Sequence, residues 1–238
     1  MTSTLRVIGD VHGQIDSDSL FSRDARPYLD IISGAPYSIQ LGDMGDGETY
    51  DQLIARVDAN RHRFFPGNHE NYERLPPHNL GDFGSVSWGD VNFFFVRGAG
   101  STDREVLLRL GSEQGKTLWF EREELTEEQM RAAEHEYLRA RPQIVLSHDA
   151  PTHVARFAWQ HARRFSPPNS RARYSASRTT DFLERLLGQH QPRAWFFGHH
   201  HHDWRHRESD SLFVCVGELS YVDIDTSGLP LPSLRCLR

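Results

Sequence analysis

Ala194-Trp195-Phe196-Phe197-Gly198-His199-His200-His201-His202 is a short apolar run that stops at a glycine and opens into four histidines. A run of that length, bounded by a turn former, fits a buried strand whose end carries a polar loop. The arrangement recurs along the chain. Leu5 to Ile8 stops at Gly9-Asp10, Tyr37 to Leu41 at Gly42-Asp43, Phe64-Phe65-Pro66 at Gly67-Asn68, and Ile144 to Leu146 at Ser147-His148. Layered α/β folds collect a site from several strand tips in this way.

Helical stretches lie between these runs. Thr126-Glu127-Glu128-Gln129 reads as a capping box that opens a helix through Met130, Ala133 and Tyr137-Leu138, ending before Pro142. Thr180 to Gly188 reads as a second helix, with Phe182, Leu183, Leu186 and Leu187 on one face and Gly188 as its C-terminal stop. Val91 to Val96 and Leu212 to Val216 read as strands, and Tyr221 to Ile224 is expected to pair with the latter. The fold class is α/β, a mixed sandwich. No internal repeat is present, and the one biased segment is the arginine-rich, proline-containing loop from Ala162 to Ser177.

Composition narrows the function classes. The chain has 238 residues, 37% hydrophobic and 25% charged, which is enough to bury a core and too apolar for a disordered chain. A net charge of -6 argues against a general nucleic-acid coat, so nucleic acid is not the expected partner. No run reaches the length that spans a bilayer or forms a signal-peptide core, and a cytoplasmic protein is expected. Cys215 and Cys236 cannot build a disulfide framework and lack Cys-x-x-Cys spacing. Any metal must then be held by oxygen and nitrogen.

The loops carry those atoms. Gly9-Asp10-Val11-His12-Gly13 places a carboxylate and an imidazole two residues apart, and in an extended segment the two would share a face. Asp43 adds a carboxylate able to bridge two ions, Asn68 and His69 an amide oxygen and an imidazole, and His148 and the histidine tract further nitrogens. Singly, each has an ordinary explanation: an aspartate after a glycine often caps a turn, and a loop histidine is more often solvated than catalytic. In the tract, only alternate residues of an extended segment can point to one ion.

The order of these pieces resembles the calcineurin-like metallophosphoesterase superfamily, whose pattern runs GDxHG, GDxxDRG, GNHE/D, a later histidine and GHxH. Here the matching stretches are Gly9 to Gly13, Gly42 to Gly47, Gly67 to Glu70, His148, and Gly198 to His201. The resemblance covers roughly Leu5 to Tyr221 and implies a four-layer sandwich of two mixed β-sheets flanked by helices, as a single domain over residues 1–238. It implies two divalent ions, manganese first and iron or zinc next. One would be held by Asp10, His12, Asp43 and His201, the other by Asp43, Asn68, His148 and His199, with Asp43 as the bridge. By the same resemblance His69 donates a proton to the leaving oxygen and Asp46 orients it, while His200 and His202 are spare.

One departure bears on substrate. The family's protein phosphatases follow the aspartate that matches Asp46 with a phosphate-gripping arginine, where this chain has Gly47 and then Glu48. Phosphate recognition is then expected from Asn68 together with Arg97 or an arginine of the Arg163 to Arg178 segment. The acidic stretch after Gly111, including Glu121 to Glu124, is expected to contribute a small cap around residues 100–140 that disfavours long polyanions. The expected activity is hydrolysis of phosphomonoesters, either phosphoprotein or a small phosphorylated metabolite, by attack of a metal-activated water. The alternatives are a phosphodiesterase acting on cyclic nucleotides, dinucleoside polyphosphates or nucleic acid, and a metal-binding scaffold without turnover. The oligomeric state is not legible.

Overall fold

Backbone hydrogen bonding divides the chain into strands β1 (Thr4–Ile8), β2 (Ser38–Gln40), β3 (His62–Phe64), β4 (Phe83–Trp88), β5 (Val91–Val96), β6 (Ile144–Ser147), β7 (Ala194–Phe197), β8 (Trp204–Glu208), β9 (Ser211–Cys215), β10 (Tyr221–Asp225) and β11 (Arg235–Leu237). The helices are α1 (Tyr28–Ser33), α2 (Gly47–Arg56), α3 (Arg104–Gln114), α4 (Glu127–Ala140), α5 (Thr152–Ala162) and α6 (Arg178–Gln189). This computed structural model describes residues 4–16, 26–165, 174–227 and 235–237. Half of the arginine-rich loop, residues 166–173 with Arg171 and Arg173, lies outside the described residues.

Two mixed sheets result, with orders β11-β10-β1-β2-β3 and β4-β5-β6-β7-β9-β8. In the first, β1, β2 and β3 run parallel; in the second, β5, β6, β7 and β9 do. The inner faces meet through Leu5, Val7, Ile39 and Leu41 on one side and Phe93, Phe95, Ile144, Leu146 and Phe196 on the other. The alternate residues Phe94, Val145, Trp195 and Phe197 turn outward and are covered by α4, α5 and α6 through Tyr137, Ala155, Phe182 and Leu186. On the opposite flank, Ile8 and Phe64 are covered by α1 and α2 through Ile31, Tyr50 and Leu53. The order helix, sheet, sheet, helix gives the expected four layers.

The layering explains the continuous apolar runs. A strand buried on both faces has no solvent side to mark by alternation, so the central strands read as near-continuous apolar runs, with exceptions such as Arg6 and Gln40. Each fully buried phenylalanine or leucine is worth roughly 1.5–3 kcal/mol, enough for these short strands to hold their places. Polar atoms in the layers are paired, as where Trp195 Nε1 donates to Ser147 Oγ at 2.7 Å. Arg6, within the β1 run, binds Asp223 on β10 through two contacts of 2.7 Å and lies over the Tyr221 ring.

Two expectations are corrected. Residues Tyr221–Asp225 pair antiparallel with β1 and not with Ser211–Cys215. A strand has two hydrogen-bonding edges, and β9 already offers both, to β7 and β8. The second helix does not stop at Gly188 but runs to Gln189, with His190 in extended conformation as its cap. A Cβ at Gly188 would meet nothing, so that glycine answers to no turn. Among the described residues no helix is long and apolar enough to cross a membrane.

The Thr126 capping box is formed: Thr126 Oγ1 accepts from Gln129 N at 3.2 Å and Gln129 Oε1 accepts from Thr126 N at 2.9 Å. Thr126→Ala should cost about 1 kcal/mol in urea unfolding with an unchanged m-value.

Candidate metal centre

Every residue expected at the site follows the carboxyl end of a strand: Asp10 after β1, Asp43 after β2, Asn68 and His69 after β3, His148 after β6, His199 and His201 after β7. Parallel strands send these ends the same way, and the two sheets bring their loops together at one edge of the sandwich. The loops are laced to one another. Val11 N and His12 N donate to the Asp43 carbonyl at 3.0 and 2.8 Å, His69 N to Asp43 Oδ1 at 2.8 Å, and His199 N to both Asp10 carboxylate oxygens at 3.0 and 3.1 Å.

Two groups of ligand atoms form, within 4.8 Å in each: Asp10, His12, Asp43 and His201, and Asp43, His148 and His199. In the first, His201 Nε2 lies 3.0 Å from Asp10 Oδ2 and 3.0 Å from His12 Nε2. In the second, His148 Nε2 lies 3.4 Å from Asp43 Oδ2 and 3.0 Å from Asn68 Oδ1, which brings the amide to the same cluster. Asp43 belongs to both, and its Oδ2 is buried without a hydrogen-bond partner. An orphaned carboxylate oxygen is costly to bury. With hard and borderline donors converging on it from two sides, the residues fit a divalent cation in each cluster.

The electrostatics divide the two histidines of the second cluster: His199 is held in the neutral form that ligates, whereas a cation would have to displace the proton that the carboxylates hold on His148. Burial disfavours the Asp43 anion, yet His148, His12 and His69 hold its carboxyl well below the usual range. Burial opposes charge on His148, but Asp43 and Asp10 raise it to about 10. His199 is driven by burial down to about 4 despite Asp149 nearby, so its imidazole is neutral, the form that ligates. His148 Nδ1 is 2.8 Å from the Leu41 carbonyl, which turns Nε2 to the cluster.

The backbone is shaped for this convergence. His12, Asp43, His199 and His201 all have positive φ, between 48° and 64°, a region that non-glycine residues enter at a cost of about 1–3 kcal/mol each. Gly67 and Gly198 are forced by proximity: a Cβ on Gly67 would strike Asp43 Oδ1 and the His148 ring, and one on Gly198 would strike Asp10 Oδ1. Glu70, pushed by burial and then by Asp43 up to about 8, accepts from Met44 N at 2.7 Å and Tyr50 Oη at 2.7 Å, holding the loop after Asp43.

Several expectations change in detail. Asp10 and His12 are not on an extended segment, because His12 sits in a left-handed turn. The same holds for His199 and His201, where two left-handed residues flanking His200 send alternate rings to different clusters. Asp46 does not hydrogen-bond His69; its Oδ1 caps α2 by accepting from Glu48 N at 3.2 Å and Thr49 N at 3.5 Å. Arg97 is 2% exposed and committed: Nε donates to Asp82 Oδ1 at 2.5 Å and Nη1 to the Arg122 carbonyl at 2.6 Å. Its guanidinium is turned to Asp82, Tyr72 and the Arg122 carbonyl, and it lines neither of the cavities that adjoin the clusters. Its burial under residues 120–124 is not legible in the sequence.

His200 and His202 stand apart from both clusters. His200 Nε2 is 3.4 Å from Asp149 Oδ1, and His202 stacks on His161 at 5.5 Å between centroids. Beside the clusters is a cavity of about 360 Å³ whose lining includes Asn68, His69, His199 and His201 of the loops, the aromatic Trp159 and Tyr174, and Asp103. A second, of about 410 Å³, adjoins His12, Asp46, Thr49 and His69.

A family profile described as calcineurin-like phosphoesterase matches residues 3–203. None of the curated proteins matches the chain. Among solved structures, a Staphylococcus aureus protein assigned as a 5'-nucleotidase, in complex with alpha-ketoglutarate, is 13% identical with a TM-score of 0.51. That alignment covers 98% of this chain and 53% of the other, so this chain spans about half the length of that protein. The phosphopantetheinyl hydrolase of Mycobacterium tuberculosis is 14% identical with a TM-score of 0.44, over 98% of this chain and 95% of its own.

Two outcomes follow from this geometry. His199→Ala should lower the metal bound per chain, measured by elemental analysis after dialysis, whereas His200→Ala should leave it unchanged; the reverse would place the ligands one residue out. Arg97→Ala should destabilise the fold by about 3 kcal/mol, the low end for a broken buried pair because the Asp82 side chain is 40% exposed. The folded fraction should keep its KM for a phosphomonoester, which a phosphate-gripping arginine would not allow.

Proposed function

This chain belongs to the calcineurin-like phosphoesterase family, a metal-dependent hydrolase of phosphate esters, and on that premise we propose that it cleaves phosphomonoesters of small metabolites. The observation that carries the reading is the cavity of about 360 Å³ set against Asn68, His69, His199 and His201. It has the volume of a small-molecule site, and Trp159, Ala162 and Tyr174 in its lining suit the organic part of an ester. The missing arginine after Asp46 favours a small metabolite over phosphoprotein. Gly100, Thr102 and Asp103 line the same cavity, which supports a small cap from the first part of residues 100–140. Helix α4, at the end of that stretch, packs into the core instead.

Two divalent ions held by Asp10, His12, Asp43 and His201 and by Asp43, Asn68, His148 and His199 would neutralise phosphoryl charge and acidify a water. The oxygen and imidazole donors suit manganese first, with iron or zinc next. Asp43 serves both clusters, and its Oδ1 is kept in place by His69 N. The His69 ring lies 5.8 Å from the His12 ring and faces the cavity, where it donates a proton to the departing alkoxide. Asp46, turned to α2, shares the neighbouring cavity with His69 and fixes the helix start beside it. A cytoplasmic location belongs to the same reading, with the phosphorylated substrate as the partner.

A second reading has its own support. The cavity of about 410 Å³ shares His69 with the first and would admit the second substituent of a phosphodiester. The ratio of rates on p-nitrophenyl phosphate and bis-p-nitrophenyl phosphate, in manganese-loaded protein, separates the two; no hydrolysis of either would defeat both. His69→Asn should retain the bound metal and lose roughly 10²–10⁴ in kcat, and an unchanged rate would remove the acid role.

A further inference from the structure

An asparagine ligand poses a problem that its sequence position does not solve. Its amide presents an oxygen that can ligate and an NH₂ that cannot, at nearly the same reach. Asn68 has Oδ1 toward His148 Nε2 at 3.0 Å, and its Nδ2 donates to Ser101 Oγ at 3.1 Å. Ser101 Oγ in turn donates to Glu123 Oε2 at 2.5 Å, and Ser101 N donates to Glu123 Oε1 at 2.9 Å.

The direction of this chain of hydrogen bonds is forced. A hydroxyl has one proton, and here it is committed to a carboxylate, an acceptor-only group when ionised. Ser101 Oγ therefore meets Asn68 with a lone pair, which only the NH₂ end can use. The carbonyl end is left to face the cluster. A reversed amide would set two lone pairs against each other at Ser101 and would turn an NH₂, which cannot ligate, toward the cluster.

Both ends of the chain are braced by one residue. Glu123 is 5% exposed and sits on the 3₁₀ turn Glu121–Glu123, in the acidic stretch between α3 and α4. Arg97 Nη1 donates to the Arg122 carbonyl on that turn at 2.6 Å and to Tyr72 Oη at 3.3 Å. Tyr72 Oη donates to the Gly67 carbonyl, next to Asn68, at 2.5 Å. The buried guanidinium thus sets the Glu123 turn against the Asn68 loop.

We infer that Ser101 and Glu123 are positioning residues that orient the Asn68 amide so that its oxygen faces the Asp43–His148–His199 cluster. This rests on the metal-centre reading above. It also divides residues 100–140: Gly100, Thr102 and Asp103 line the cavity, while Glu123 acts on Asn68 through Ser101.

The test is a manganese titration of metal-free protein by calorimetry, with the electron paramagnetic resonance spectrum of the loaded form as a second readout. Wild type should bind two equivalents and show the broadened spectrum of coupled ions. Ser101→Ala should weaken one class of site by about 10–100-fold and leave the other as it was, giving the six-line spectrum of an isolated ion at limiting metal. Glu123→Gln, which puts an NH₂ where an acceptor is needed, should weaken the same class and serves if the serine variant does not fold. Ser101→Thr keeps the hydroxyl and should restore both sites, which a loss of mere packing would not predict. Two sites of wild-type affinity in Ser101→Ala, or equal weakening of both classes, would overturn the relay. Fewer than two equivalents in wild type would instead overturn the metal-centre reading.

Discussion

A carboxylate oxygen, Asp43 Oδ2, is buried at the edge of the sandwich with no hydrogen-bond partner of its own. Its energetic awkwardness organises what surrounds it. Asp43 Oδ1 is held by the His69 amide, its carbonyl by the amides of Val11 and His12, and the following loop by Glu70. Three loops are thereby tied to one residue. The arrangement tolerates an uncompensated lone pair because a cation can supply the missing partner, and His148 and His12 flank the place where it would sit.

The four layers serve this point. Parallel β1, β2 and β3 in one sheet and parallel β6 and β7 in the other present their carboxyl ends together, so five short strands deliver ligands to one place. The price is local: four residues of the two clusters hold left-handed backbone, and glycines at 67 and 198 make room for carboxylates that any Cβ would displace. Strain concentrated at ligands, with relaxed strands behind them, is the pattern of a site held by its scaffold. The buried Arg97 extends that scaffold outward, from the Gly67 loop to the turn that carries Glu123.

Much of this could be read along the chain. Apolar runs ending at glycine marked strands with both faces covered, and the two capping signals of α4 are met by the structure. The alternation of His199 and His201 was also legible, though for a reason that did not hold: the segment is not extended, and alternate rings diverge because of its two left-handed residues. Strands β4 and β8 escaped notice because their exposed, polar-rich faces lack the dense apolar run of the central strands. Arg97 was misread for a related reason. A lone arginine at a strand end looks available to substrate phosphate unless the covering turn is known, and that turn is brought by Arg122, 25 positions along the chain.

From the sequence alone came the α/β class, the family resemblance and the identity of the candidate ligands, because each depends on residue type and local spacing. Only the tertiary structure decided which sheet received Tyr221–Asp225, what the buried Arg97 guanidinium binds, and what stands behind Asn68. Those are contacts between segments far apart in the chain. Their energies depend on burial and on the one proton or lone pair left over when other partners are satisfied, which local patterning does not encode.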